Sequence, residues 1–201
     1  MAMENKILMQ SARESLRGKW GPVIGGLVVY IAVSMAASIV PILGPLASFL
    51  IAGSMTLGIT IFFLNVSRSQ EFKIEQIFKG FNRFATALAA YFFMQLFIFL
   101  WALLFIIPGI IAALSYSMTF YILADNNSIG GREAIKMSKE MMKGNKMKLF
   151  LLQIRFIGWA LLCILTLGIG FLWLFPYVSV SIAKFYDDIK GGMSIKDEEE
   201  E

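Results

Sequence analysis

Residues 103–115 read LLFIIPGIIAALS. A proline–glycine pair, Pro108-Gly109, interrupts a run that is otherwise strongly apolar. Proline withholds a backbone donor and disfavours helix in the residue before it. Glycine accepts turn geometry. The pair therefore predicts a turn between two helices, and the surrounding sequence decides what kind of helices they are.

The run holding the pair extends from Phe84 to Ala124 without an Asp, Glu, Lys or Arg. Two more uncharged runs cover Trp20–Ser67 and Phe156–Ala183. About 20 apolar residues cross the hydrocarbon core as a helix. The first two runs are long enough for two crossings each, if the chain turns midway. The first has its turn at Pro41, Gly44 and Pro45 in PILGP, and the third at Gly168 and Gly170 in TLGIG. The whole chain agrees, with 58% hydrophobic and 16% charged residues, against about 25% charged in soluble domains. Its mean hydropathy is +0.71. This predicts an all-α membrane protein with six transmembrane helices paired as three hairpins, over roughly 21–41, 45–66, 84–107, 110–124, 149–167 and 171–187.

A basic residue followed by glycine precedes each hairpin: Arg17-Gly18, Lys79-Gly80 and Lys143-Gly144. Their near-even spacing signals a three-fold internal pseudo-repeat, about 8–66, 72–124 and 133–187, inside a single integral membrane domain of 1–190. A disordered acidic tail, 191–201, is expected after it. Each connection is also amphipathic. Leu8, Ala12, Leu16 and Trp20 share a face, as do Ile74, Ile77, Phe78 and Phe81. In the third, Ala134, Ile135, Ser138, Met141 and Met142 oppose Lys136, Lys139, Lys143 and Lys146. Such helices lie in the membrane interface, apolar side in the acyl boundary and lysines among the headgroups. With Arg17, Lys19 and Lys79, those four lysines are the expected membrane-surface contacts, and Met141 and Met142 the expected apolar anchor. The competing arrangement packs the same helices on protein and leaves a solvated charged face.

The three hairpin turns carry no Lys or Arg, so the positive-inside rule puts both termini and both long connections in the cytoplasm. Basic surface helices favour the anionic inner leaflet as partner. A membrane-protein partner or a second copy of the chain fits the same surface. Nucleic acid does not, because the basic residues stand beside apolar spans.

The chain has no histidine, which removes the commonest general base and metal ligand. No carboxylate falls within the spans except Asp187 at the end of the sixth. No catalytic site, metal site or cofactor is expected. The intramembrane polar candidates are Arg155, Ser115, Tyr116 and Ser117. The serines are expected to bond back to their helices. Arg155 either snorkels to the cytoplasmic face or contacts an anion or lipid headgroup. Cys163 stands alone among apolar neighbours and reads as packing.

The stretches LWALLFIIPGIIAALSYSMTFYILADN (100–126), EAIKMSKEMMKGNKMKLF (133–150) and FIGWALLCILTLGIGFLWLFPY (156–177) resemble a family of bacterial multi-pass membrane proteins, domain of unknown function 975. Gly18-Lys19-Trp20 stands where that family commonly has Gly-Asn-Trp, and Ala112 and Arg155 depart from an expected lysine and small polar residue. A more distant similarity is to the non-catalytic membrane domain of some glycerophosphodiester phosphodiesterases. The resemblance implies topology and a bacterial cell-membrane location, with no activity attached. The expected role is non-enzymatic, structural, lipid-interacting or partner-binding. A small transporter or channel subunit is the alternative, and Arg155, Tyr116 and Ser117 converging on a polar cavity is the feature that would mark it.

Overall fold

The computed structural model describes residues 3–38 and 44–199, and no strand occurs among them. Its helices are α1 (Asn5–Leu16), α2 (Trp20–Ser38), α3 (Gly44–Ser67), a 3-10 helix (Ile74–Arg83), α4 (Phe84–Leu104), α5 (Ile106–Tyr116), α6 (Thr119–Asp125), α7 (Gly131–Met141), α8 (Lys146–Leu165) and α9 (Phe171–Glu199). Among the described residues, five stretches are long and apolar enough to cross a membrane: Trp20–Ala37, Gly44–Ser67, Ile74–Leu104, Ile106–Asp125 and Lys146–Leu165. The expected sixth differs, because the first 18 residues of α9 already include Lys184, Asp187 and Asp188. Helical backbone in α9 continues to Glu199, into the stretch expected to be disordered.

The helices form an inner and an outer set. The stretches of α3 and of α5–α6 are 50% and 56% buried, while those of α2, of the 3-10 helix with α4, and of α8 are 17%, 11% and 22% buried. The inner helices α3 and α6 pack on each other, and α9 packs on α3. The outer helices turn large apolar side chains outward, among them Phe99, Leu103, Leu104, Leu161 and Leu165. Exposed apolar surface on this scale is sustained by lipid rather than water.

The turn inside LLFIIPGIIAALS falls at Phe105, not at Pro108-Gly109. Phe105 is extended, with φ −161° and ψ 150°. Pro108 sits in the first turn of α5, where a missing N–H costs nothing. Gly109 serves packing: a Cβ there would lie 2.9 Å from the Cα of Ala102 on α4. The third turn lies where expected, with Leu167 and Gly168 at φ 52° and 86°, and the Gly168 N–H bonded to the Cys163 carbonyl at 3.0 Å. Gly170 brings α9 against Cys163, whose Sγ would be 2.7 Å from a Cβ. In the first turn Gly44 and Pro45 open α3, and Pro41 lies outside the described residues.

The stretch 106–125 is broken at Ser117 and Met118, between α5 and α6. Ser138 of α7 repairs the break: its buried hydroxyl accepts from the Met118 N–H at 3.1 Å and donates to the Ser115 carbonyl at 2.9 Å. Buried backbone groups freed from a helix need such partners.

The connections pack on protein, which corrects the expected apolar anchor. In α7 the Ala134, Ile135, Ser138 and Met141 face is buried against α4, α5 and α6, and Met142 is fully buried. Leu8, Ala12 and Leu16 of α1 are likewise buried, on α9 and α3. The second connection is a 3-10 helix, whose period of about 3 separates residues that share a face in an α-helix. Ile77 and Gly80 point inward, while Phe78 and Phe81 are exposed. The glycines after the basic residues also differ. Gly18 and Gly144 have φ of 76° and 78°. Gly80 does not; a Cβ on it would be 1.9 Å from the Ser54 carbonyl oxygen, and one on Gly58 would be 1.7 Å from that of Ile77. These two glycines let the 3-10 helix lie backbone to backbone on α3.

Candidate functional site

Three charged residues meet where α3 and α6 end against α9. Arg68 follows α3, Asp125 closes α6, and Asp187 lies in α9. The Arg68 guanidinium donates to both oxygens of Asp125 at 2.5 and 3.0 Å, and to Asp187 Oδ1 at 2.6 Å. Asp125 also accepts from the Tyr186 hydroxyl at 3.1 Å and pairs with Lys190. Its side chain is 11% exposed, so it depends on these partners. The Asp125 hydrogen bond, helped by Asp187, raises the guanidinium pKa of Arg68 above its ordinary value. A planar fork that grips two carboxylates is a geometry only arginine offers. Beside this hub, Arg83 donates to the carbonyls of Leu123, Asn126 and Ile129 at 3.0, 2.9 and 2.5 Å. Lys148 pairs with Asp188 at 2.6 Å, and Asp188 accepts from the Met3 N–H at 2.9 Å.

These groups are structural clamps that join neighbouring helices. A groove of about 1000 Å³ runs between α1, α8 and α9, lined by Lys6, Arg13, Arg17, Trp20, Arg155 and Tyr177 among others. Helical spacing explains the α1 contribution: Lys6 and Arg13 lie away from the buried Leu8, Ala12 and Leu16 stripe, and Arg17 follows as the extended C-cap of the helix. Arg155 reaches the same groove from α8. A second cleft, about 390 Å³, shares Arg13, Trp20 and Tyr177 and continues along Trp159, Cys163, Gly170, Trp173 and Leu174.

The residues singled out from sequence are therefore separated. Arg155 and Arg17 stand together in the large groove. Lys19 lies 5.7 Å from the Phe72 ring, and Lys79 is exposed. Lys136, Lys139 and Lys143 are exposed and Lys146 is half-buried. Tyr116 lies elsewhere, in a cleft with Trp101, Lys139 and Lys146. Ser115 and Ser117 donate back to the Ile111 and Leu114 carbonyls at 2.6 and 2.8 Å. Arg155, Tyr116 and Ser117 do not converge.

Sequence reasoning passed over Arg68, Asp125, Arg13 and Lys6. A signal existed for the first two: each is the charge that ends an uncharged run, and the signs are opposite. The helical phase of α1 holds the signal for the others.

A family model described as "Protein of unknown function (DUF975)" matches residues 1–115 and 103–192. No curated protein and no solved structure matches the chain.

Proposed function

The chain belongs to the family of proteins of unknown function DUF975, and we propose that it is a non-enzymatic, multi-pass protein of the bacterial cytoplasmic membrane that acts by engaging lipid or a membrane partner. The observation that carries this is the division of its surface. The outer helices expose apolar side chains along their length, while charges pair off near the ends of α3, α6 and α8: Arg68 with Asp125, and Lys148 with Asp188 of α9. α9 serves as the sixth span, its charges from Lys184 onward lying at the cytoplasmic end. Both termini and both long connections are cytoplasmic, because the turns near Phe105 and Gly168 are uncharged.

A three-fold pseudo-repeat is supported by how the short helices pack. α1 lies on α9, the 3-10 helix on α3, and α7 on α6 and α4. Each short helix thus covers the hairpin before its own, taken cyclically. Arg68 after α3, Asp125 at the end of α6 and Asp187 within α9 are brought together by Arg68, which pairs with both carboxylates.

Cysteine scanning tests the topology, in a background with Cys163→Ser. Cysteine at Ile106 or Ile169 is expected to react with an impermeant thiol reagent outside intact cells. Cysteine at Gln70 or Asn127 is expected to react only after the cells are opened. Labelling at Gln70 in intact cells would sink the arrangement.

A further inference from the structure

We propose that the groove between α1, α8 and α9 binds one anionic phospholipid of the inner leaflet. Its phosphate is held at Arg13, Arg17 and Arg155, and an acyl chain lies along Trp159, Cys163 and Trp173. The proposal rests on the membrane-spanning reading above and adds to it a site and a ligand class.

Charge is the first argument. Lys6, Arg13, Arg17 and Arg155 line the groove with one carboxylate, Glu14, which accepts from the Gln10 amide at 3.2 Å. None of the four cations forms an ion pair among the described residues, whereas Arg68, Lys148 and Lys190 all do. The unpaired guanidinium forks match phosphate oxygens.

Shape is the second. The basic mouth continues into the cleft walled by Trp159, Cys163, Trp173 and Leu174. From Arg155 to Cys163 this wall runs about 12 Å along α8. Free phosphate would satisfy the mouth and leave the apolar cleft unfilled. A phospholipid satisfies both.

Position is the third. Arg155 is exposed on a helix whose neighbours Ile154, Ile157 and Trp159 are exposed too. A cation beside hydrocarbon is costly unless it is paired or reaches the interface. A bound lipid phosphate supplies the partner.

Tryptophan quenching tests this in the full-length protein. Trp20, Trp159 and Trp173 line the groove and its cleft, and Trp101 lies outside them. A protein retaining only Trp20 (Trp101→Phe, Trp159→Phe, Trp173→Phe) is placed in phosphatidylcholine nanodiscs. Brominated phosphatidylglycerol, added as a minor component, is expected to quench Trp20 more than the same fraction of brominated phosphatidylcholine. Adding Arg13→Gln with Arg155→Gln is expected to weaken that preference about tenfold or more, while Arg155→Lys keeps most of it. Millimolar inorganic phosphate is expected to leave the quenching unchanged. Equal quenching by the two lipids overturns the proposal, as does undiminished preference in the double variant. Displacement by inorganic phosphate overturns the lipid as occupant. A protein retaining only Trp101 reports insertion, through quenching by the neutral brominated lipid. Failure there removes the membrane-spanning reading; quenched Trp101 with indifferent Trp20 removes the lipid site alone.

Discussion

At the scale of residues, two polar groups carry disproportionate weight. Arg68 holds Asp125 and Asp187 together. Arg68→Gln leaves Asp125 with Lys190 and the Tyr186 hydroxyl only. Breaking a buried pair costs several kcal/mol, and partial exposure of this one reduces that to about 2 kcal/mol. The expected outcome is a lower midpoint for unfolding in detergent, and a smaller loss when Asp125→Asn is already present. Additive losses would mean that the two side chains act independently. Ser138→Ala orphans the Met118 N–H and the Ser115 carbonyl in a buried site, at about 1–3 kcal/mol. Ser138→Thr keeps the hydroxyl and is expected to recover part of it.

At the scale of elements, glycines that look alike in sequence do different work. Gly144→Ala meets open space and bears only the strain of φ 78°, about 1 kcal/mol. Gly80→Ala drives a methyl into the Ser54 carbonyl. It is expected to separate the 3-10 helix from α3 and to destabilise by about 3 kcal/mol or more. Comparable melting temperatures for the two variants would contradict the close packing. Pro108-Gly109 divides in the same way. Pro108→Ala is expected to keep the topology, because the turn sits at Phe105. Gly109→Leu is expected to unpack α5 from α4, because Ala102 occupies the space. Protease sensitivity near residue 105 reads the difference.

At the scale of the whole molecule, short helices that pack on protein leave their basic sides free. α7 commits its apolar side to the bundle, and Lys136, Lys139 and Lys143 stay exposed. Anionic lipid is therefore expected to raise the thermal midpoint of the intact protein, and added salt to lower it again. Changing Lys136, Lys139 and Lys143 to Gln is expected to shrink the lipid effect and leave the midpoint in neutral lipid unchanged. A shift in neutral lipid would place these lysines in the fold instead.

Helical class and the existence of several membrane-length apolar helices were legible in the residues alone, because hydropathy acts locally and needs no partner to be read. The third turn was legible for the same reason, since Gly168 at φ 86° is a backbone demand met on the spot. The position of the second turn was not. Proline is tolerated in a first helical turn as readily as it ends a helix, and only the contact of Gly109 with Ala102 selects between the two. Nor was the destination of the amphipathic faces legible. An apolar stripe is equally satisfied by lipid or by protein, and the packing of α7 on α4 and α6 chose protein. The meeting of Arg68, Asp125 and Asp187, and of Arg155 with Arg13, joins residues far apart in the chain. Spacing along a sequence does not encode such distances; they arise when the helices close around one another.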